Sequence, residues 1–378
     1  MKFNLKLFLI LSFINFFSAI FGLVATAAGN TPAPLPGMPV VLDPNDIYSA
    51  DRPNNLSSSV LGIKELVYVP NHSSNTVSVI DPKTYKVIKT FKTNLGPQHV
   101  VPSWDLKTIW VNNNQGNTIT PINPANLVMG KPIYVHDPYN LYFTPNGQYA
   151  IEMAEKDKVI NFLDPQSLSI KKSVKVPCAG VNHADFSADG NFFIATCEFD
   201  GSLILMDTQK EEFISRVSLP RTFTRDPMPQ DIKLSPNGKT FFIADMMSNG
   251  IWLMPANKFG EFSYMATGKD AHGLYITRDS KNLLITNRGE GSVSVFDFAQ
   301  NRLTSKWKIP GGGSPDMGGI TEDGKQFWVS GRYNGVVYVF DIEKGRFLRK
   351  IKVGREPHGL AIFPQPGRYS LGHTGIFR

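Results

Sequence analysis

The chain has 378 residues, 42% of them hydrophobic, and carries a formal net charge of +7, a length that suits two ordinary domains or one large repeat domain. The basic residues are scattered, with no run, no stripe and no interleaving with aromatics, which excludes a nucleic-acid footprint and leaves the charge as a solubility feature. With 32 Gly, 27 Pro, 26 Phe and 12 Tyr, the composition favours turns and strands over helix.

The N-terminus reads as a targeting signal. Lys2 and Lys6 precede an almost wholly apolar stretch, Leu7–Val24, and Ala25, Thr26 and Ala27 supply small residues at a cleavage site. That order predicts a secretory signal peptide over 1–27. Ser12, Asn15 and Ser18 interrupt the apolar stretch, which argues against an uncleaved span, so no membrane span is expected after cleavage. Residues 28–59 are rich in Pro, Asn and Ser and read as a surface lead-in. The domain proper is expected over 60–378, in the periplasm or outside the cell. Cys178 and Cys197 are the only cysteines. They flank one expected hairpin in an exported chain, which makes them a candidate disulfide, with two unpaired thiols as the alternative.

From Leu66 onward a unit of about 40 residues recurs. It opens at Pro97-Gln98-His99, Pro138-Tyr139-Asn140, Val181-Asn182-His183, Pro229-Gln230-Asp231, Ala271-His272-Gly273, Pro315-Asp316-Met317 and Pro357-His358-Gly359, at spacings of 41, 43, 48, 42, 44 and 42 residues. Each unit has the length of one four-stranded antiparallel propeller blade. Asn146-Gly147, Asp189-Gly190, Asn237-Gly238, Asp279-Ser280 and Asp323-Gly324 mark the first hairpin turn, where positive φ is required. Third strands such as Val77–Asp81, Val293–Asp297 and Val337–Asp341 alternate and then stop at an Asp that can bond the next turn. Asn123 and Pro255 interrupt that column, so the second and fifth blades should be less regular.

The two ends complete each other. Leu66–Phe91 supplies three strands without a repeat start, and Gly359–Phe363 supplies one strand without the remainder. Joined, they close a ring of seven blades and leave no open sheet edge. The expected fold class is therefore an all-β, seven-bladed β-propeller.

Leu66-Val67-Tyr68-Val69-Pro70-Asn71 followed by Ser74–Asp81 resembles the YVTN repeat of exported bacterial and archaeal propellers, with Ile109–Asn113 and Leu284–Asn287 as variants. The resemblance covers about Leu66 to Arg368. It implies a fold and no single function, because related seven-bladed rings include propeller lactonases, quinoprotein subunits and haem-binding propellers of some nitrite reductases.

In such a ring the first strand lines the channel. His99, His183, His272 and His358 fall where the chain enters it, with Asp231, Asp316 and Asn140 at the matching places in other blades and His72 on the same rim. The four histidines are candidate ligands for a transition metal at the channel mouth. The competing reading makes them caps for neighbouring backbone. It is favoured by register: His99 and His183 sit five residues before the turn, His272 and His358 six, and strand alternation then keeps the four from converging. Arg221, Arg225, Arg288, Arg332 and Arg355 lie in rim loops; with Asp231 and Asp316 they form a candidate site for a small anionic ligand. Glu198, Asp200, Asp226 and Glu290 are placed to neutralise them. Gly311-Gly312-Gly313 lacks P-loop spacing, and no nucleophile elbow is present. The segment Tyr369–Gly375 is expected to fold back across one face.

Two functional classes stand. The first is a non-catalytic binding or scaffold propeller with a protein or glycan partner. The second is a lactonase-like hydrolase, or a metal- or haem-binding redox accessory protein, using the His/Asp/Arg rim.

Overall fold

Alternating apolar residues, cut at regular intervals by Asn-Gly and Asp-Gly turns, produce short strands that assemble into seven antiparallel sheets. The computed structural model describes residues 33–222, 225–373 and 375–378; the signal segment expected over 1–27 lies outside them. Blade 1 joins Ala361–Phe363 to Leu66–Asn71, Thr76–Asp81 and Lys86–Lys92. Blades 2 to 7 begin with Pro97–Pro102, Pro138–Phe143, Val181–Phe186, Pro229–Leu234, Ala271–Ile276 and Pro315–Ile320. Leu66, Val67 and Tyr68 pair with Phe363, Ile362 and Ala361, so the last strand closes the ring as expected.

Blades 2 and 5 are the irregular ones. The outer strand of blade 2 is split into Val128–Met129 and Ile133–Tyr134, and that of blade 5 is the four-residue Ser263–Ala266. Where Asp ends the third strand it holds the next turn: Asp81 accepts from the Lys83 amide, Asp207 from Gln209 and Lys210, and Asp341 from Lys344. Asn123 does the same for Ala125. At the first turn, Gly147, Gly190, Gly238 and Gly324 all have positive φ, and so does Ser280, at 58°. Blade 2 uses Leu106 at φ 63° in the equivalent turn, with its side chain buried in compensation.

Among the described residues, seven apolar clusters fill the seven gaps between neighbouring blades. The channel side of each blade is packed, while outer strands such as Lys86–Lys92 are mostly exposed. Cys178 and Cys197 are joined in a disulfide at the start of blade 4. No helix of the described residues is long and apolar enough to cross a membrane.

The face carrying the hairpin turns is covered from two directions. The lead-in runs across successive turns: the Leu35 amide bonds Asp189 O, Asn146 bonds Pro36 O, the Ile47 amide bonds Pro236 O, and the Asn54 amide bonds Glu322 O. The C-terminal segment covers the centre. Leu371 and His373 bond the backbone of blade 3, Ser370 bonds Pro102 O, and buried Arg378 bonds Ser187 O, Phe186 O and Asp185. Tyr369, Leu371, Ile376 and Phe377 are buried there. The channel is thereby floored on this side.

Glu65, just ahead of blade 1, accepts the Glu322 amide at 2.6 Å. Burial pushes its carboxyl up to about 7, with Glu322 and Asp323 adding to the rise. The folded state therefore keeps a proton that the unfolded chain releases near its ordinary value. Its stabilisation is fully present below about pH 4.5 and is lost as pH rises through about 7. Glu65→Gln retains the acceptor and removes the charge. It is expected to leave the melting temperature unchanged at acid pH and to raise stability on the order of 1 kcal/mol above neutrality, after allowance for the partial exposure. Calorimetry at both ends of that range checks this; a gain of equal size at every pH would contradict it.

Candidate functional site

Each blade admits two consecutive residues to the channel. In blades 2, 4, 5, 6 and 7 a bulge near the start of the first strand sets one extra residue against the second strand, as between Val181 and Ala184, Ala271 and Leu274, or Pro315 and Gly318. In blade 3 the same irregularity falls opposite Met153 and Ala154. A bulge re-aims side chains that regular alternation would send to opposite faces. The freed amides are taken by hydroxyls of the second strand: His183 by Thr196, Gly273 by Thr286, and Met317 by Ser330. Two layers result. One holds Gln98, Tyr139, Asn182, Gln230, His272, Asp316 and His358. The other holds His99, Asn140, His183, Asp231, Gly273, Met317 and Gly359.

The histidines expected to stay apart therefore meet. Ring centroids lie 4.9 Å apart for His99 and His358, 5.7 Å for His99 and His183, 6.0 Å for His272 and His358, and 6.4 Å for His183 and His272. A fifth, His373, rises from the C-terminal segment to 4.8 Å from His183 and 5.2 Å from His99. His99, His183 and His373 each offer a ligand atom within 4.8 Å of the other two, and all three are buried. The cluster sits against the floor of the channel rather than at its mouth. Sequence reasoning missed His373 because it lies outside the repeats. A signal for the convergence is Gly359: a Cβ there would meet the His99 ring at 2.1 Å, so the glycine makes room for it.

Second contacts set the tautomers. His99 Nδ1 lies 2.9 Å from Tyr139 O and must donate to it, which leaves the Nε2 lone pair facing a buried space with no partner. His358 Nδ1 lies 2.7 Å from Asp316 Oδ2, and its Nε2 is likewise buried and unpartnered. His183 Nε2 is the third such atom. Asn140 Nδ2, with two hydrogens, lies 3.1–3.4 Å from Tyr142 Oη, Asn182 O, His183 Nδ1 and His373 Nδ1. Burial drives every imidazole of the cluster toward the neutral form, His99 down to about 4 and His272 to about 3. Neutral imidazole is the ligating form.

Asp316 anchors the other side. Burial alone would push its carboxyl up, but His272, His358 and Arg288 hold it well below the usual range. Its oxygens meet His272 Nδ1 at 3.1 Å, His358 Nδ1 at 2.7 Å and Arg288 Nη1 at 3.2 Å. Arg332 Nε stands 4.0 Å away. Asp231 has a different duty: it accepts the amides of Ile232 and of Leu274 in the next blade, which is the capping role. Its Oδ1 lies 3.9 Å from His373 Nε2.

The arginines separate. Arg288 and Arg332 turn into the mouth, whereas Arg221 pairs with Asp226 on the surface and Arg225 is exposed. The expected neutralisation of the rim cations is mostly spent elsewhere, Asp200 on Arg216 and Glu290 on Lys306. Glu198 bonds Asn182 at 2.6 Å. His72 is on the rim as expected, 3.3 Å from Glu356.

Comparison with solved structures returns proteins that share this fold. A functionally unknown protein from Desulfotomaculum acetoxidans DSM 771 superimposes with a TM-score of 0.66 at 14% identity, over 79% of this chain and 98% of that one. Hydrazine synthase from Kuenenia stuttgartiensis gives 0.63 at 16%, over 81% and 98%. The dihydro-haem d1 dehydrogenase NirN in complex with DHE gives 0.59 at 13%, over 87% and 78%. These likenesses show the fold. No curated protein matches by sequence. The sequence profile described as YNCE-like beta-propeller matches residues 50–366.

Proposed function

This chain belongs to the YNCE-like β-propeller family, and we propose that it is an exported propeller that binds a transition-metal ion on His99, His183 and His373 at the floored end of its channel. The observation that carries this reading is the meeting of three buried imidazoles whose ligand atoms lie within 4.8 Å of one another. Three atoms at that separation stand at most about 2.8 Å from a common centre, so each needs to move by less than about 1 Å to reach a metal–nitrogen distance of 2.0–2.1 Å. Leaving buried polar atoms unpartnered costs free energy that an ion would recover. The all-imidazole donor set favours copper or zinc over magnesium or calcium. His358, whose ring centroid lies 4.9 Å from that of His99 and whose Nε2 also lacks a partner, stands beside this set.

Export is part of the reading. It is supported by the order of charges, apolar run and small residues over 1–27, by the disulfide, and by the YVTN-type repeat seen in exported propellers. The ring then acts as a rigid holder for the ion, with the rim free for a partner or a small ligand.

Elemental mass spectrometry on protein purified without chelators tests the assignment. One equivalent of copper or zinc is expected, together with its loss in His99→Ala/His183→Ala, while both proteins melt cooperatively. A wild-type protein that takes up no more metal than the double variant, even after incubation with copper and zinc salts, sinks the proposal.

A further inference from the structure

Arg332 lies in the loop between the second and third strands of blade 7, at the open mouth. Its side chain is 16% exposed, yet its Nη1 is buried without a partner and its Nε is beyond hydrogen-bond distance from Asp316. The contrast with Arg288 is informative. Arg288 Nη1 reaches Asp316 at 3.2 Å, and its Nη2 lies 2.6 Å from Met246 Sδ. Asp316 has one negative charge and already serves His272, His358 and Arg288, so the second guanidinium shares it at 4.0 Å and makes no hydrogen bond to it.

Beside Arg332 a groove of about 790 Å³ opens on the same rim, where blade 7 meets blade 1. Arg332, Tyr333, Lys350, Lys352, Arg355 and Glu356 line it. Lys350, Lys352 and Arg355 are exposed. The one carboxylate, Glu356, is engaged by Ser73 and by His72. Four cations thus face a concavity with one committed anion. Tyr333 is 67% exposed and forms an aromatic wall, steadied by the Arg288 guanidinium 5.5 Å from its ring centroid. The volume falls within the range of small-molecule sites, roughly 300–1,000 Å³. A guanidinium with unmatched N–H groups is suited to a carboxylate or phosphate through paired hydrogen bonds, with the lysines as point charges for a second anionic group.

We infer that this groove binds a small organic dianion, with one carboxylate or phosphate group on Arg332 and the other anionic group held by Lys350, Lys352 and Arg355. The site is separate from the metal ligands and does not depend on an ion being bound.

The test is isothermal titration of the full chain as purified, with succinate and with inorganic phosphate as probes, at low salt. Saturable binding of about one equivalent is expected, with a dissociation constant of roughly 1 mM or tighter. The better of the two probes identifies the anionic group that the site prefers. Arg332→Ala should weaken binding by about 10-fold or more, and Lys350→Gln/Lys352→Gln by about 3- to 10-fold, as expected for losing charge-assisted contacts of about 1 kcal/mol or more. The lysine pair is exposed, so its variant is expected to keep the wild-type melting temperature and metal content. Metal is assayed on the same samples, so that failure of this site and failure of the metal centre can be told apart. The inference is overturned if neither probe binds saturably up to about 10 mM, or if the lysine variant binds as tightly as wild type.

Discussion

A chain ending at Gly367 is expected to be insoluble or to lack a cooperative melt, although the deletion removes no blade strand. The missing segment carries Tyr369, Leu371, Ile376 and Phe377, all at most 2% exposed. Three of them belong to the cluster between blades 3 and 4, and Phe377 to the one between blades 1 and 2. Burying a side chain of this size contributes about 1.5–3 kcal/mol, so the four together represent roughly 6–12 kcal/mol. That rivals the whole margin of about 5–15 kcal/mol typical of a folded protein. The deletion also strips the ion pair partner from buried Asp185. Two point variants divide the roles of the segment. Leu371→Ala should cost about 2–5 kcal/mol through a cavity and leave metal binding in place. His373→Ala should lose the ion and, compared with wild type stripped of metal, still melt cooperatively. A truncated chain that melts like wild type would show that the segment is a cover without a structural role.

The propeller was legible because its signals are local. Turn residues at fixed offsets, an Asp at the end of the third strand and a period near 42 residues each act over a few neighbours. Blade 2 shows the limit. Its first turn places Leu106 at φ 63°, a backbone region that leucine rarely adopts, and nothing in the pattern announces it. The site was legible in its residue types and misread in its geometry. Regular alternation sets His99 and His183 on one face and His272 and His358 on the other, but it holds only in an unbroken strand. The bulge adds one residue and brings both layers into the channel. The pairing of His272 with Gly273 and of His358 with Gly359 is the readable trace, since a glycine follows where a neighbouring blade needs the space. Loop position alone groups the rim arginines and carries no direction for their side chains. Arg221 and Arg225 sit in the longest spacing, and both are exposed. His373 had no repeat to align with.

Asp316→Ala should be among the most damaging single substitutions in the channel. The carboxylate is fully buried and is the shared partner of His272, His358 and Arg288. Removing it takes from Arg288, 12% exposed at the mouth, its nearest carboxylate, and leaves buried His358 Nδ1 without its acceptor and His272 Nδ1 with only the Met317 sulfur. Breaking a buried charged pair from one side costs about 3–5 kcal/mol. Asp231→Ala is the matched control: it is equally buried, but it caps two backbone amides and pairs with no arginine. Loss of such caps costs about 1–3 kcal/mol. Asp316→Asn keeps the shape and one acceptor, so it should fall between wild type and Asp316→Ala. At roughly 2 °C per kcal/mol for a chain of this size, Asp316→Ala is expected to lower the melting temperature by about 6–10 °C and Asp231→Ala by about half of that or less. The order matters more than the size. If Asp231→Ala proves the more damaging, the channel is held together by backbone caps. In that case the cluster of Asp316, His272, His358 and Arg288 is a passive lining, and the neutral, oriented imidazoles owe nothing to the carboxylate beside them.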